Sequence, residues 1–272
     1  MDDKPILYLG DTRLDAAASY LGGMIARAGY AFDYVPTGEP AAVELFEQPR
    51  KLFIFSDFEA ATTPPAAQQA LLQQLDAGAG LLMIGGWESF HGATGHWAGQ
   101  PLADALPVEI SDTDDRINYD QAAVLRRAVG EHPILRGLPW DERPPLIGGF
   151  NRLRAKSGSQ VLLEVVLHRV RRAGEGFEFA QAATHPLLTV FENEQANNFR
   201  GRGRVAALAC DLAPHWVGPL VDWGTDNETS PTAGGRAAGQ APTPGAGAGD
   251  VEVGACYARF VTQLLEWVGR LS

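Results

Sequence analysis

The stretch GLLMIGGWESFHG, residues 80–92, places an apolar run directly before two glycines and then Trp87, Glu88, Ser89 and His91. A buried strand that breaks into a sharp turn lifts one side chain above a sheet edge, the position where many hydrolases hold their nucleophile. Here the turn offers Gly85, Gly86, Trp87 and Glu88, and no cysteine. A second polar group follows another apolar run, with Asp211, His215 and Trp216 in DLAPHW just after residues 205–209. Glu88 and His215 are the candidate acid and base, because a carboxyl and an imidazole are readily tuned to exchange protons near neutrality. Ser89 lies two places past the turn tip and reads as a cap of the following turn, and no spacing rule pairs it with His215 as a hydrolytic couple. His91 and His96 stand five apart in a glycine-rich loop rather than at the i, i+4 spacing of a helical zinc site, so no metal site is expected. Trp87, Trp97 and Trp216 would suit stacking on a sugar face, with a core role as the competing reading of each.

Those side chains need a frame. Residues 5–9, 31–35, 51–55 and 81–84 are short runs, apolar throughout apart from Asp33 and Lys51, as expected of strands buried on both faces of a parallel sheet. Between the first two, Leu14, Ala17, Ala18, Leu21, Ile25 and Ala28 fall on one helical face, and Gly29 marks the stop. Pro64 and Pro65 open a second helix, which Thr62 or Thr63 would cap and Gly78 would end. Strand and helix in alternation predict an α/β fold with a parallel sheet covered on both faces. Ligands of such sheets bind beyond the carboxyl ends of the strands. Asp11 and Asp57 follow the first and third strands; Asp11 reads as a helix cap and Asp57 as a turn residue bordering the site. Further apolar runs at 161–167, 187–191 and 205–209 predict more strands, and 106–110 is another candidate. Residues 168–184 read as a hairpin loop whose Arg169, Arg171 and Arg172 form a solvated face. Asp112, Asp114 and Asp115 read as a local acidic loop. Residues 224–250, rich in Gly, Ala, Pro and Thr, read as a flexible insertion in a single domain over residues 1–272. A last helix over 255–271 carries the apolar stripe Tyr257, Phe260, Val261, Leu264, Leu265, Val268 and Leu271.

With 272 residues, 45% of them hydrophobic, the chain can bury a substantial core. Its net charge of −11 and pI near 5.0 exclude a protein that tracks a nucleic-acid backbone, which needs clustered Lys and Arg. Two cysteines, Cys210 and Cys256, make no disulfide framework, and without a CxxC they make no zinc site. No apolar stretch reaches the roughly 18 residues that span a bilayer. MDDKPILYLGD reads as a first strand rather than a secretory leader, so a cytoplasmic protein that does not engage membranes is expected. Nothing in the sequence calls for a cofactor.

GGWESFHG, LPVEI, DDR, HPILRGLP, GGFNR, GRGRVAAL, DLAPHW and YARF occur here in that order. Together they resemble a bacterial family of glutamine amidotransferase-like proteins, within the class I superfamily that also holds the ThuA-like proteins. The resemblance covers nearly the whole chain apart from residues 168–184 and 224–250. It implies a flavodoxin-like three-layer sandwich, a mostly parallel sheet with helices on both faces, and places GGWES at the nucleophile elbow. Working class I amidotransferases have GxCxG at that turn and a later His-x-Glu pair. Here no cysteine lies within 84–92, and His185-Pro186-Leu187 lacks the acid. The triad therefore carries over onto no residue, and thiol glutaminase chemistry is the least expected activity. The expectation is a non-catalytic binder of an unidentified small molecule, with Glu88 and His215 as the groups able to do chemistry. Asp57, Gly85, Gly86, Trp87, Ser89, His91, Asn151 (from GGFNR), Asp211 and Trp216 form its ligand shell. The alternative is a hydrolase or other enzyme using Glu88 and His215 on a small polar, sugar-like substrate. By analogy with a fold that often self-associates, a homo-oligomer is also expected.

Overall fold

A computed structural model describes residues 4–191, 202–224, 243–245 and 249–271. The first half alternates as expected: β1 (Ile6–Gly10), α1 (Ala18–Arg27), β2 (Phe32–Val35), α2 (Val43–Glu47), β3 (Leu52–Ser56), α3 (Pro65–Ala77), β4 (Gly80–Ile84) and α4 (Pro101–Ala105). Short strands follow: β5 (Val108–Glu109), β6 (Arg116–Asn118), β7 (Ala123–Arg127), β8 (Gly149–Asn151) and β9 (Arg154–Ala155). The chain then runs through β10 (Gln160–Ala173), β11 (Gly176–Phe191), β12 (Val205–Leu208), α5 (Pro214–Val217), β13 (Thr243–Gly245), β14 (Gly249–Val251) and α6 (Ala255–Gly269).

Eight strands form one sheet in the order β2-β1-β3-β4-β12-β11-β10-β7. The pairings from β2 through β12 are parallel, and β11, β10 and β7 extend the sheet antiparallel. Every residue of β1, β3, β4 and β12 is buried, which is why these strands read as unbroken apolar runs rather than alternating ones. From β1 the chain steps to one side to reach β2 and to the other to reach β3 and β4. Right-handed crossovers in opposite directions put α1 and α3 on opposite faces of the sheet. α6 packs beside α1 against β3 and β4, while α2 and α4 flank α3. This is the mostly parallel, flavodoxin-like α/β sandwich that the sequence predicts. The strand order reverses between β1 and β3, the point beyond whose carboxyl ends open α/β sheets bind ligands.

Several local expectations are corrected. Thr62 and Thr63 do not cap α3: Pro64 holds the N-cap position with no side-chain cap, and Thr62 turns back to the Glu59 carbonyl at 2.9 Å. Proline at 64 and 65 keeps the chain extended for one residue beyond the threonines, too far for either hydroxyl to serve the first turn. Gly78 does end α3, at a left-handed φ of 116°. Only Val108–Glu109 of the run 106–110 is strand, and it pairs with β9. Residues 168–184 are not a loop: β10 and β11 continue through them to a two-residue turn, where Gly174 supplies the positive φ of 63°. The arginines of that segment therefore stand on a strand. Most of the expected insertion, 225–242 and 246–248, lies outside the described residues, and β13 pairs antiparallel with β14 inside it. Among the described residues no helix is long and apolar enough to cross a membrane.

The stripe of α6 is buried as the sequence indicates, with Leu264 fully inaccessible. Leu264→Ala removes most of that side chain from a packed core and is expected to lower the unfolding free energy by about 2–5 kcal/mol, measured by urea denaturation.

Candidate functional site

The residues at the strand ends brace one another. Asp11 and Asp57, directly after β1 and β3, both occupy the left-handed region, at φ 52° and 51°, which an Asp side chain tolerates better than most. The Asp11 N–H donates to the Ser56 carbonyl at 2.8 Å, the Tyr34 hydroxyl donates to the Asp11 carbonyl at 3.1 Å, and the Tyr8 hydroxyl donates to the Asp11 carboxylate. Asp11 is thus no helix cap. Ala17 fills that position on α1 with no side-chain bond, and Asp11 is drawn inward by Tyr8. The Asp57 N–H donates to Ser89 Oγ at 2.9 Å, and the Ser89 hydroxyl donates in turn to the Ile84 carbonyl. Ser89 is therefore a buried strut between β3 and β4, correcting its reading as a cap.

The turn after β4 is held just as closely. A Cβ on Gly85 would lie 2.2 Å from the Ala209 carbonyl oxygen, and one on Gly86 would lie 2.3 Å from Asp57 Oδ1, so only glycine fits either position. Asn151 closes on Gly86 from β8: its Oδ1 accepts the Gly86 N–H at 3.0 Å, and its Nδ2 donates to the Gly86 carbonyl at 3.2 Å and to Asp115 Oδ1 at 2.8 Å. Asp115 also accepts the N–H groups of His91 and Gly92 at 3.2 and 3.0 Å. The Glu88 N–H, like that of Trp87, donates to the Asp57 carboxylate. The amides an oxyanion hole would need at such a turn are already engaged. Neither Trp87 nor Glu88 has the positive φ of a strained nucleophile position.

Trp87 is 43% exposed. The His215 ring meets it edge-on at 5.4 Å, and the Arg116 guanidinium lies 4.5 Å over its face while paired to Asp114 at 2.7 Å. His215 is exposed on α5 and stacks at 6.4 Å on Trp216. Trp216 and Trp97 are buried, their indole N–H groups bound to Asn118 Oδ1 and the Phe58 carbonyl, each at 2.8 Å. Of the three tryptophans, only Trp87 is exposed, with Arg116 lying over one face of its ring. The His91 ring packs against His96 at 5.1 Å, and no hydrogen bond reaches the Glu88 carboxyl or the His215 ring from any described residue.

Charge is crowded at this edge. Burial, and then the nearby Asp57 and Glu59, raise the Glu88 carboxyl to about 7. Burial also raises Asp57, against the pull of the Glu88 and Trp87 N–H groups and of His215. Asp11 is raised by burial to about 7; the Tyr8 hydroxyl opposes the shift and the Asp57 charge adds to it. Burial and the Asp11 charge raise Asp211 well above the usual carboxylate range, although its Oδ1 accepts the Ala213 N–H at 2.8 Å. These carboxyls cannot all ionise together, and the edge carries protons at neutral pH. No thiol is among them: Cys210 is buried beyond β12 with its pKa well above the usual value, and Cys256 begins α6. Among the described residues no three His, Cys, Asp or Glu side chains are grouped to hold a metal ion. A groove of about 520 Å³ opens at the amino ends of β3 and β4, lined by Pro49, Arg50, Lys51, Gly78 and Arg270. It touches none of the candidate residues, and Arg50 there is already bound to Asp33 at 2.6 Å.

The structure therefore brings Asp57, Gly85, Gly86, Trp87, Glu88, Ser89, Asn151, Asp211, His215 and Trp216 to one sheet edge, with His91 in the adjoining loop. Sequence reasoning missed the part played by Asp115 and Tyr8. Asp115 stands beside Asp112 and Asp114 with nothing in the pattern to mark it as the buried one, and Tyr8 is one apolar-run residue among many.

A family model described as "Putative glutamine amidotransferase" matches residues 51–229. The chain belongs to this family. The matched span holds the 85–89 turn, Asn151, Asp211 and His215 of this glutamine amidotransferase-like protein, whereas Asp11 precedes it. A solved cytoplasmic protein from Salmonella typhimurium LT2 is 27% identical, with a TM-score of 0.60 over 79% of this chain and 91% of that one. A second cytoplasmic protein from Salmonella typhimurium is 20% identical, with a TM-score of 0.64 over 97% and 98% of the two chains. A ThuA-like protein from Bacteroides uniformis aligns over 76% of this chain and 81% of that one, at 13% identity and a TM-score of 0.43. No curated protein matches the sequence.

Because Asp11 titrates near 7 in the fold and near 3.8 outside it, the stability held by its protonated form is complete below about pH 4 and is lost as the pH rises through 7. Asp11→Asn removes that loss. Urea denaturation should show the variant more stable than wild type at pH 8, by more than the roughly 1.4 kcal/mol of one pKa unit, and level with it at pH 4.

Proposed function

We propose that this glutamine amidotransferase-like protein binds a small, polar, uncharged or cationic molecule over the 85–89 turn and performs no thiol chemistry. The observation that carries this reading is the exposed Trp87, next in the chain to Glu88, whose carboxyl is raised to about 7. A carboxyl poised there both donates and accepts hydrogen bonds at neutral pH, and an aromatic face next to such a group suits a hydroxyl-bearing ring. The charges of Asp57 and Glu59 beside Glu88 disfavour an anion there, so a sugar or polyol fits better than a sugar phosphate or nucleotide. The engaged amides of Gly86, Trp87 and Glu88 argue for binding rather than acyl transfer. A second reading rests on the same carboxyl: a pKa near 7 also suits a general acid or base, with the exposed His215 as its counterpart on a sugar-like substrate.

Thermal shifts of purified protein with sugars, polyols, sugar phosphates, glutamine and other amino acids, nucleotides and divalent metals test the proposal. A compound at 100 times its dissociation constant stabilises the native state by about 2.7 kcal/mol. A neutral hydroxyl-rich compound is expected to shift the wild type and to lose its effect in Trp87→Ala and Glu88→Ala. A shift that persists in both variants, or none from any compound, sinks the proposal. Turnover of the stabilising compound, abolished by His215→Ala, would replace simple binding with the acid–base reading.

A further inference from the structure

The hairpin of β10 and β11 outgrows the sheet. β11 pairs with β12 only over Leu188–Phe191, and its first half projects past the carboxyl end of β12, the edge that carries Asp211. Residues 176–182 are all exposed. Within this arm the two strands pair with each other: Arg172 faces Phe177, Val170 faces Phe179, and Arg171 forms an ion pair with Glu178 on the opposite face. Phe177 and Phe179 are 68% and 63% exposed, two places apart and therefore on the same face. A two-stranded ribbon without further support is marginal in water, yet this one leaves its two largest apolar side chains uncovered.

The two edges of the arm differ. The outer side of β10 is covered near its root, where the His168 N–H donates to the Ala122 carbonyl at 2.9 Å and the Val170 N–H donates to Gln121 Oε1 at 2.6 Å. The outer side of β11 over 176–181 has no backbone partner among the described residues. A one-residue bulge at Ala182 bends the strand there, and beyond it the register with β10 is regular to the turn. The exposed sequence GFEFAQ contains no lysine or proline, the residues that commonly guard an open edge. The arm carries Arg169, Arg171 and Arg172 against Glu175 and Glu178, whereas the chain as a whole has a net charge of −11. The arm is basic and the body is acidic, so another molecule of this chain complements it in charge.

We propose that the arm docks on a second copy of this chain, β11 pairing antiparallel with the partner's β11 about a two-fold axis. The axis is normal to the ribbon, so the phenylalanines of both copies meet on one face, as a self-complementary interface requires. The arms alone fall short of the roughly 800 Å² per partner that a stable interface buries, and their arginines supply the remainder by lying on the acidic body of the neighbour.

Sedimentation equilibrium or light scattering on the full chain over about 1–100 µM, the range in which interfaces of standard size assemble, tests this. The expected wild-type mass is twice the 29.1 kDa of one chain. Phe177→Glu with Phe179→Glu should weaken the dimer at least tenfold while leaving the far-UV circular dichroism unchanged. Phe177→Thr with Phe179→Thr keeps strand propensity and serves as the milder variant if the first fails to fold. A wild type that stays monomeric at the highest concentration, or a dimer that survives in the folded double variant, overturns the proposal.

Discussion

Asn151 closes on Gly86 with both ends of its side-chain amide, and the geometry of the sheet edge depends on that contact. One amide group satisfies the N–H and the carbonyl of the same turn residue while also holding Asp115. Asp115 in turn collects the amides of His91 and Gly92. The turn after β4 is thereby fixed to β8 on one side and, through Asp57 and Ser89, to β3 on the other. Glycine at 85 and 86 is the steric condition for this convergence, because a methyl group at either position would overlap Ala209 or Asp57. Buried hydrogen-bonding groups that are fully paired rigidify a structure, whereas a single missing partner costs heavily. The loop from Trp87 to Gly92 is held in place by such pairing rather than by regular secondary structure.

The same edge carries an electrostatic burden. Glu88, Asp11, Asp57 and Asp211 all have carboxyls raised by burial, and the charges of their neighbours add to that rise for each except Asp57. Such an arrangement works against stability as the pH rises and has no packing advantage that apolar residues would lack. Local departures from the rules of stability concentrate where proteins bind or react. The contrast with the opposite end of the sheet is informative. There Arg50 and Asp33 neutralise each other beside an open groove, whereas no ion pair is formed by Glu88, Asp57, Asp11 or Asp211 with any described residue.

Membership of the glutamine amidotransferase-like family fixes the architecture but not the chemistry, since one fold hosts many sites. The resemblance to class I amidotransferases would place a nucleophile at the turn after β4. In this chain its tip is Trp87, its amides serve as structural donors, and the two cysteines lie elsewhere. The turn is held by structural hydrogen bonds, and Trp87 stays exposed on it, packed by Arg116 and His215.

Much of this was legible in the residues. Continuous apolar runs separated by helical stripes specify a parallel sheet covered on both faces, because only a strand buried on both sides lacks alternation. The missing thiol at the turn, the stripe on α6 and the strand-end placement of Asp57, Glu88 and Asp211 follow from the sequence directly. Tertiary structure alone decided which polar residues support and which face outward. Trp216 and Trp97 proved to be core while Trp87 is exposed, Ser89 became a strut, Asp11 turned inward to Tyr8, and Asp115 was singled out from its acidic neighbours. The length of the β10–β11 arm was equally hidden, since arginine and glycine in 168–184 look like loop until their cross-strand partners are known. The division has a physical cause. Periodicity and turn chemistry act over a few residues and are written locally, whereas burial and hydrogen-bond partnership join positions as far apart as Gly86 and Asn151, whose meeting depends on the packing of the whole sheet.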